Sequence, residues 1–194
     1  MNKVRNYTDK QLLERVKKLP SFKEIPNNYW ILGVRSNEDT PNVYDDKFYI
    51  FAGEKFITML TGTTNPGTPI LQGGFLKYNK VGGAIVKADE WYYNLWLYGM
   101  HLGKMRGLKQ VNNIIVFRDG DKDLKSEEIG KSIMGVYGIN FHTCNFNELS
   151  KATPTEINNW SAGCQVANNV EKYYQTINLF KNNSFTTYVV INEF

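Results

Sequence analysis

The stretches YWILGV (residues 29–34), KFYIFA (residues 47–52) and KFITMLT (residues 55–61) have the length and the β-branched and aromatic content of β-strands. The last two are separated by Gly53 and Glu54, a two-residue connection typical of a β-hairpin. Further strand candidates lie at residues 84–87, 111–118, 135–142 and 185–191. Many short strands with few helices predict a mainly β fold, as a sandwich or an open barrel.

Two helices are predicted on either side of this β-rich region. Residues 8–19 have an apolar face, begin with the capping-box pair Thr8 and Gln11, and end at Pro20. Residues 168–181 form the late helix. We therefore expect a helical extension over residues 1–25 and one β-rich domain over residues 26–194. The first helix is expected to pack on that domain, and a docking helix for a partner is the alternative.

The composition limits the catalytic and metal-binding chemistry that is available, because the 194 residues include only two His and two Cys. This excludes multi-zinc modules, disulfide scaffolds and four-thiolate iron–sulfur clusters. The net charge is +4, with Lys and Arg scattered rather than gathered into a stripe, so no nucleic-acid partner is expected. Weak attraction to an anionic polymer such as a cell wall remains open.

The apolar runs are too short for a membrane helix, so no membrane span is expected. The first residues, MNKVRNYTDKQLL, lack the apolar core of a signal peptide. We therefore expect synthesis in a cytoplasm, with both cysteines as thiols, and either retention there or exit by another route.

The candidate chemistry lies in residues 138–166, GINFHTCNFNELSKATPTEINNWSAGCQV. A predicted strand ends at His142, and a polar loop leads to a small-residue turn that carries Cys164. Cysteine acyl chemistry needs a nearby imidazole and backbone N–H groups for the oxyanion, and Gly163 permits a tight turn beside the sulfur. The alternative makes Cys164 a small packed residue and His142 a hydrogen-bonded core residue. Neither interpretation requires a cofactor or a metal.

A histidine at a strand end followed by Ser-x-Gly-Cys resembles the signature of the L,D-transpeptidases, the YkuD-type catalytic domain. The phrases YWILGVRS, GTTNPG, YGMHLGKMRGL, VFRDGD, GINFH and NWSAGCQV are also similar to phage and Bacteroidetes proteins related to that domain. The second resemblance covers most of residues 28–174. The order of His before Cys argues against the Cys-first cell-wall peptidases of the NlpC/P60 type.

The resemblance implies an enzyme that acts on peptidoglycan stem peptides through a thioester on Cys164. His142 matches the general base, Ser161 and Gly163 match the small residues that frame the nucleophile, and Thr143 matches the neighbour that orients the histidine ring. The resemblance to phage proteins implies a lysis enzyme or a virion-associated wall enzyme.

Two positions depart from the family pattern. Ala162 replaces the second His of the signature, and Val166 replaces its terminal Arg or Asn. These departures put the usual substrate contacts in doubt. The alternative is therefore a catalytically silent wall-binding or virion structural module that keeps the fold.

Three further residues complete the predicted substrate-binding set, namely His101, Arg106 and Trp160. His101 lies between two glycines in LYGMHLGKMRGL, where a loop would let it line the cleft and replace the absent second His. Arg106 or Lys104 would grip a peptide carboxylate. The alternative is a loop histidine with solvated neighbours.

Two metal hypotheses and an aromatic run remain. Cys144, two positions after His142, would share its face and could join a zinc set with Cys164 and His101, although the spacing is unusual. The alternating acids of residues 119–123 resemble the start of a calcium loop without its glycine and final Glu.

The aromatic residues within positions 91–98 would form either a stacking wall for a ligand or half-buried packing.

Overall fold

A computed structural model describes residues 4–38 and 40–194, which are mainly β, with 36% strand and 16% helix. These residues form eleven strands: β1 (Tyr29–Arg35), β2 (Asp46–Ala52), β3 (Lys55–Thr63), β4 (Gly83–Val86), β5 (Glu90–His101), β6 (Met105–Gln110), β7 (Ile114–Asp119), β8 (Ile133–Gly135), β9 (Phe141–Thr143), β10 (Gln165–Ala167) and β11 (Thr186–Asn192). The helices are α1 (Asp9–Lys17) and α2 (Val170–Ile177). The prediction of a mainly β fold with an N-terminal and a late helix is confirmed.

Eight strands close into a barrel in the order β1-β11-β5-β6-β9-β10-β3-β2. Most neighbours are antiparallel, but β1 pairs with β11 and β9 pairs with β10 in parallel. The contact between β6 and β9 is a single residue pair, Leu108 with Phe141. The remaining strands form a separate sheet in the order β4-β7-β8. The Ala84 N–H of β4 donates to the carbonyl of Ala162 (3.0 Å), which joins this sheet to the turn before β10.

The main apolar core contains several aromatic rings packed against one another. Trp96 packs against Tyr188 with ring centroids 4.7 Å apart, and Phe48 meets Phe141 edge to face at 5.1 Å. All four side chains are completely buried. Aromatic pairs in such tilted and edge-to-face arrangements add specific attraction to the burial of apolar area.

A second apolar cluster lies between the barrel and α1. Leu12 and Val16 of the helix are buried against strand residues that include Trp30 and Trp91. Thr8 caps the helix, and both hydrogen bonds of the capping box to Gln11 are present. The N-terminal helix therefore packs on the β-domain. None of the helices within the described residues is both long and apolar enough to cross a bilayer.

The observed strands differ from the predicted ones in several places: β6 and β10 were not predicted, and residues 135–142 and 90–101 differ as follows. The strand predicted over residues 135–142 is wrong, because β8 ends at Gly135, β9 begins at Phe141, and Gly138 between them has a positive φ of 76°. The aromatic run belongs to the twelve-residue strand β5. Asn94 has a positive φ of 55°, and the pairing register with β11 shifts opposite it. These irregularities interrupt the alternation of apolar and polar residues by which a strand is recognised in a sequence.

Candidate functional site

The parallel pair β9 and β10 brings the two ends of the predicted signature together. Val166 of β10 is the register partner of His142, and the Gln165 N–H donates to the carbonyl of Asn140 (2.9 Å). Cys164 directly precedes β10. Because side chains two apart on a strand share a face, Cys164 lies on the same face as Val166 and therefore as His142.

The His142 ring is held by the backbone of its neighbour. Its Nδ1 lies 2.7 Å from the Thr143 carbonyl. A carbonyl only accepts, so Nδ1 carries the proton and the lone pair is on Nε2. The Thr143 hydroxyl in turn donates to the carbonyl of Ala167 (2.8 Å), which ties this arrangement to β10. The imidazole is thereby oriented to accept a proton at Nε2.

Burial keeps His142 uncharged. The residue is 2% exposed, and this burial, together with His101, lowers its pKa to about 3, against a smaller opposing effect of the Thr143 hydrogen bond. The rings of His101 and His142 stack with centroids 4.0 Å apart and planes at 16°. Two charged rings at this distance would repel one another strongly.

His101 is fixed by Asn140, which was not among the site residues predicted from the sequence. The Asn140 amide nitrogen donates to His101 Nδ1 (3.0 Å), and the Asn140 amide oxygen accepts from the Gln110 N–H (2.8 Å). Burial lowers the pKa of His101 as well. The prediction that His101 lies on a loop is wrong, because it is the last residue of β5 and pairs with Met105 across the hairpin.

The turn before Cys164 is built by Ser161 and Gly163. The Ser161 hydroxyl accepts from the Gly163 N–H (3.1 Å) and donates to the Cys164 carbonyl (2.8 Å). Gly163 has a φ of 130°, and a Cβ there would lie 2.6 Å from the Ala84 carbonyl oxygen. Glycine is therefore required both for the backbone conformation and for the close approach of β4.

The Cys164 thiol donates to a backbone carbonyl. Its acceptor is the carbonyl oxygen of Gly138 (3.5 Å), four positions before His142 in the chain. Burial raises the pKa of this thiol to about 11, against a smaller lowering by the backbone N–H of Asn140. The group is therefore a neutral thiol at pH 7.

A cavity of about 280 Å³ opens beside the histidines. Its lining within the described chain comprises His101, Leu102, His142, Phe146, Asn159 and Trp160, and does not include Cys164. Phe146 and Trp160 form an aromatic wall with ring centroids 5.2 Å apart. The Lys104 ammonium lies 5.4 Å from the centre of the Phe146 ring, which places a cation close to this wall.

Arg106, in contrast, is engaged elsewhere. Its guanidinium makes a two-point contact with the Glu148 carboxylate at 2.7 and 2.5 Å, and a further one with Asn178. Among the described residues it does not line the cavity. Of the two predicted carboxylate-binding cations, Lys104 is therefore the one close to the cavity.

The four predicted zinc ligands are not gathered into a metal site. Cys144 donates to the carbonyl of Asn168 (3.5 Å). Within residues 4–38 and 40–194, the His, Cys, Asp and Glu cluster that could hold an ion is Asp121, Asp123 and Glu127.

The aromatic run is largely packing, since Trp91, Tyr92 and Trp96 are buried.

Three residues of the site, Asn140, Phe146 and Asn159, were not predicted from the sequence. Asn140 could have been found, because it lies two positions before His142 and shares its face at this strand end. Phe146 and Asn159 come from different loops, and only the packed structure brings them to one cavity.

Comparisons with models of known protein families, with curated proteins and with solved structures gave no match for this chain.

Proposed function

We propose that the protein is a cysteine-dependent acyltransferase or peptidase that acts on peptidoglycan stem peptides through a Cys164 thioester. The observation that carries the proposal is that Cys164, directly before β10, lies on the same face as an Nε2-basic His142 of β9, whose ring lines a cavity. The stem-peptide substrate rests on the sequence resemblance to L,D-transpeptidases.

The reaction begins with a neutral pair rather than with a preformed thiolate. When the Cys164 thiol exchanges its hydrogen bond to Gly138 for one to His142, its proton passes to Nε2 as the sulfur attacks a peptide carbonyl carbon. This coupling is needed because burial disfavours both the free thiolate and the imidazolium. The Thr143 carbonyl stabilises the imidazolium while it exists.

The intermediate then collapses with a balanced proton transfer. The carbon–nitrogen bond breaks, His142 returns the proton to the leaving amine, and a thioester on Cys164 remains. An incoming amine completes transfer, whereas water completes hydrolysis. The backbone N–H of Cys164 is the donor available to the oxyanion, because the N–H of Gly163 donates to Ser161.

The cavity supports a peptide with a carboxylate near the reacting carbonyl. Phe146 and Trp160 offer an apolar wall for the stem of a side chain, and the Lys104 ammonium lies close to that wall. An exposed ammonium attracts a carboxylate without the two-point geometry of an arginine. Arg106 is not assigned to substrate, since Glu148 and Asn178 occupy its guanidinium.

A silent wall-binding or virion module is the second candidate. It is favoured by the raised pKa of Cys164 and by the hydrogen bond of its thiol to Gly138, which together resemble a packed thiol. This candidate uses the same cavity for binding and assigns no chemical role to the cysteine.

The deciding experiment incubates the full chain with muropeptides and follows products by liquid chromatography and mass spectrometry. We expect turnover by the wild type and by Cys144→Ala, and turnover at background for Cys164→Ala. Cys144 is the matched control because it is the other free thiol of the chain. A carbapenem-type probe should add its mass to the wild type and to Cys144→Ala, but not to Cys164→Ala.

Equal turnover by the wild type and Cys164→Ala would remove the thiol mechanism. If no product forms, and isolated sacculi bind the wild type and Cys164→Ala equally well, the silent module is selected instead.

A further inference from the structure

The Asn140 amide determines which nitrogen of His101 carries the proton. The backbone N–H of Gln110 donates to the Asn140 amide oxygen (2.8 Å), so the NH₂ end of that amide lies 3.0 Å from His101 Nδ1. An amide NH₂ group only donates, so His101 Nδ1 is an acceptor without a proton. In the neutral ring the proton is therefore on Nε2.

Gln110, which sets this orientation, is itself held in place. Its side chain makes four hydrogen bonds of 2.8–3.0 Å to backbone groups of residues 112 and 135–139. These bonds tie β6 to the segment that leads into Asn140. A reversed Asn140 amide would place its NH₂ group against the Gln110 N–H, two donors without an acceptor, so the orientation is fixed.

Nε2 is the polar atom that each histidine leaves for a ligand. Among the residues that the structure describes, Nε2 of His101 and Nε2 of His142 have no hydrogen-bond partner, and neither is one of the fully buried polar atoms that lack one. Both side chains line the same cavity. The stacked pair therefore presents a donor, on His101, and an acceptor, on His142, to an occupant of that cavity.

His101 is suited to act as a neutral donor. Its burial lowers its pKa, so the ring is uncharged at pH 7. A charge on His101 would oppose the imidazolium that His142 forms in the proposed reaction, because the two ring centres are 4.0 Å apart. A neutral N–H can donate a hydrogen bond without that repulsion.

We propose that His101 donates from Nε2–H to the carbonyl oxygen of the peptide that Cys164 attacks, and that Asn140 positions this donor. This inference rests on the proposed function and supplies a second donor to the oxyanion, beside the backbone N–H of Cys164. A second donor is needed because the Gly163 N–H is engaged by Ser161. The attacking sulfur and the oxyanion are bonded to one carbon, so a base and a donor on adjacent stacked rings can serve both.

Nitrogen NMR of the full chain with isotope-labelled histidine measures the tautomers directly. Because the chain has two histidines, the variants His101→Phe and His142→Phe assign the two rings. At about pH 8, above the ordinary histidine pKa, we expect the proton on Nε2 of His101 and on Nδ1 of His142. Asn140→Asp should move the His101 proton to Nδ1, because a carboxylate accepts and does not donate. Asn182→Asp adds the same charge at an exposed position and should change neither tautomer.

Binding and turnover test the donor role separately. In Cys164→Ala, which lacks the proposed nucleophile, the His101 Nε2 resonance should shift saturably as a muropeptide is added. With Cys164 present, Asn140→Asp and His101→Phe should each lower kcat about 10²–10³-fold, the loss typical of removing one oxyanion donor, and change KM much less. Asn182→Asp should keep the wild-type kcat. A merely structural role of Asn140 would not separate kcat from KM in this way.

A proton on Nδ1 of wild-type His101, or an unchanged His101 tautomer in Asn140→Asp, overturns the proposal. So does a His101 Nε2 resonance that does not respond to the muropeptide, or a kcat for Asn140→Asp equal to that of Asn182→Asp. Failure of the proposed function gives a different result: the expected tautomers and the shift on binding, but no turnover by the wild type. That outcome would remove the Cys164 thioester and leave His101 as a donor that binds the peptide.

Discussion

The side of the barrel beneath α1 and the side that carries the histidines are built in opposite ways. Beneath α1, strands of seven or more residues present an apolar surface in which Trp30 stacks on Phe51 at 4.9 Å. At the histidines, β9 and β10 have three residues each, and the buried groups include two imidazoles. Apolar packing stabilises the first side, whereas backbone hydrogen bonds and the required glycine at position 163 shape the second.

The largest expected effect tests the helix-covered side. Trp30→Ala should lower the free energy of unfolding by about 3–5 kcal/mol, because it empties a fully buried position between two aromatic rings. Trp160→Ala, at a half-buried position of the cavity wall, should cost about 1 kcal/mol. Urea unfolding of both variants measures the contrast. Equal losses would show that the two sides contribute alike to stability.

An intermediate effect is expected at the turn before β10. Gly163→Ala should cost about 3 kcal/mol, because its φ of 130° is strained for alanine and its Cβ would meet the Ala84 carbonyl. Gly53→Ala in the β2–β3 hairpin also has a positive φ but open space around it, and should cost about 1 kcal/mol. Denaturant unfolding compares the two glycines. A loss at Gly163 no greater than that at Gly53 would contradict the requirement for close approach to β4.

The smallest of the three effects concerns pH. The pKa of His142 is about 3 in the folded protein and ordinarily 6.5, so below pH 6.5 the unfolded chain binds the additional proton. The stability contribution of the neutral ring is therefore present above pH 6.5 and is lost as the pH falls toward 3. Between pH 7 and pH 5 the loss should be about 2 kcal/mol.

Urea titrations at both pH values, for the wild type and for His142→Gln, isolate this contribution. The difference between pH 7 and pH 5 should shrink by about 2 kcal/mol in the variant, because glutamine does not titrate. The same pH dependence in both proteins would show that His142 is not held neutral by the fold.

Much of the helix-covered side was predictable because its signals are local. Thr8 and Gln11 lie within one helical turn of each other, and their capping box formed as the sequence predicted. The β2–β3 hairpin needs only two neighbouring strands and the Gly53-Glu54 turn. In such elements the deciding contacts lie within a few residues of one another, so the sequence pattern carries them.

The candidate site was predictable only in part. Its residue types could be found from the scarcity of His and Cys and from the small-residue turn at residues 161–164. The hydrogen-bonded ion pair between Arg106 and Glu148 could not be predicted, because the two residues are 42 positions apart in the chain. The position of His101 on a strand was hidden by the irregularity at Asn94, where a positive φ interrupts the alternation of β5.

The sequence by itself therefore determined the mainly β class, the two helices, the capping box and the identity of the few groups able to do thiol or imidazole chemistry. Only the tertiary structure decided that β9 and β10 pair in parallel, that His101 stacks on His142, and that the Cys164 sulfur rests against Gly138. The physical reason is that these contacts join segments far apart in the chain. Which segments meet depends on how the whole barrel closes and not on any local pattern.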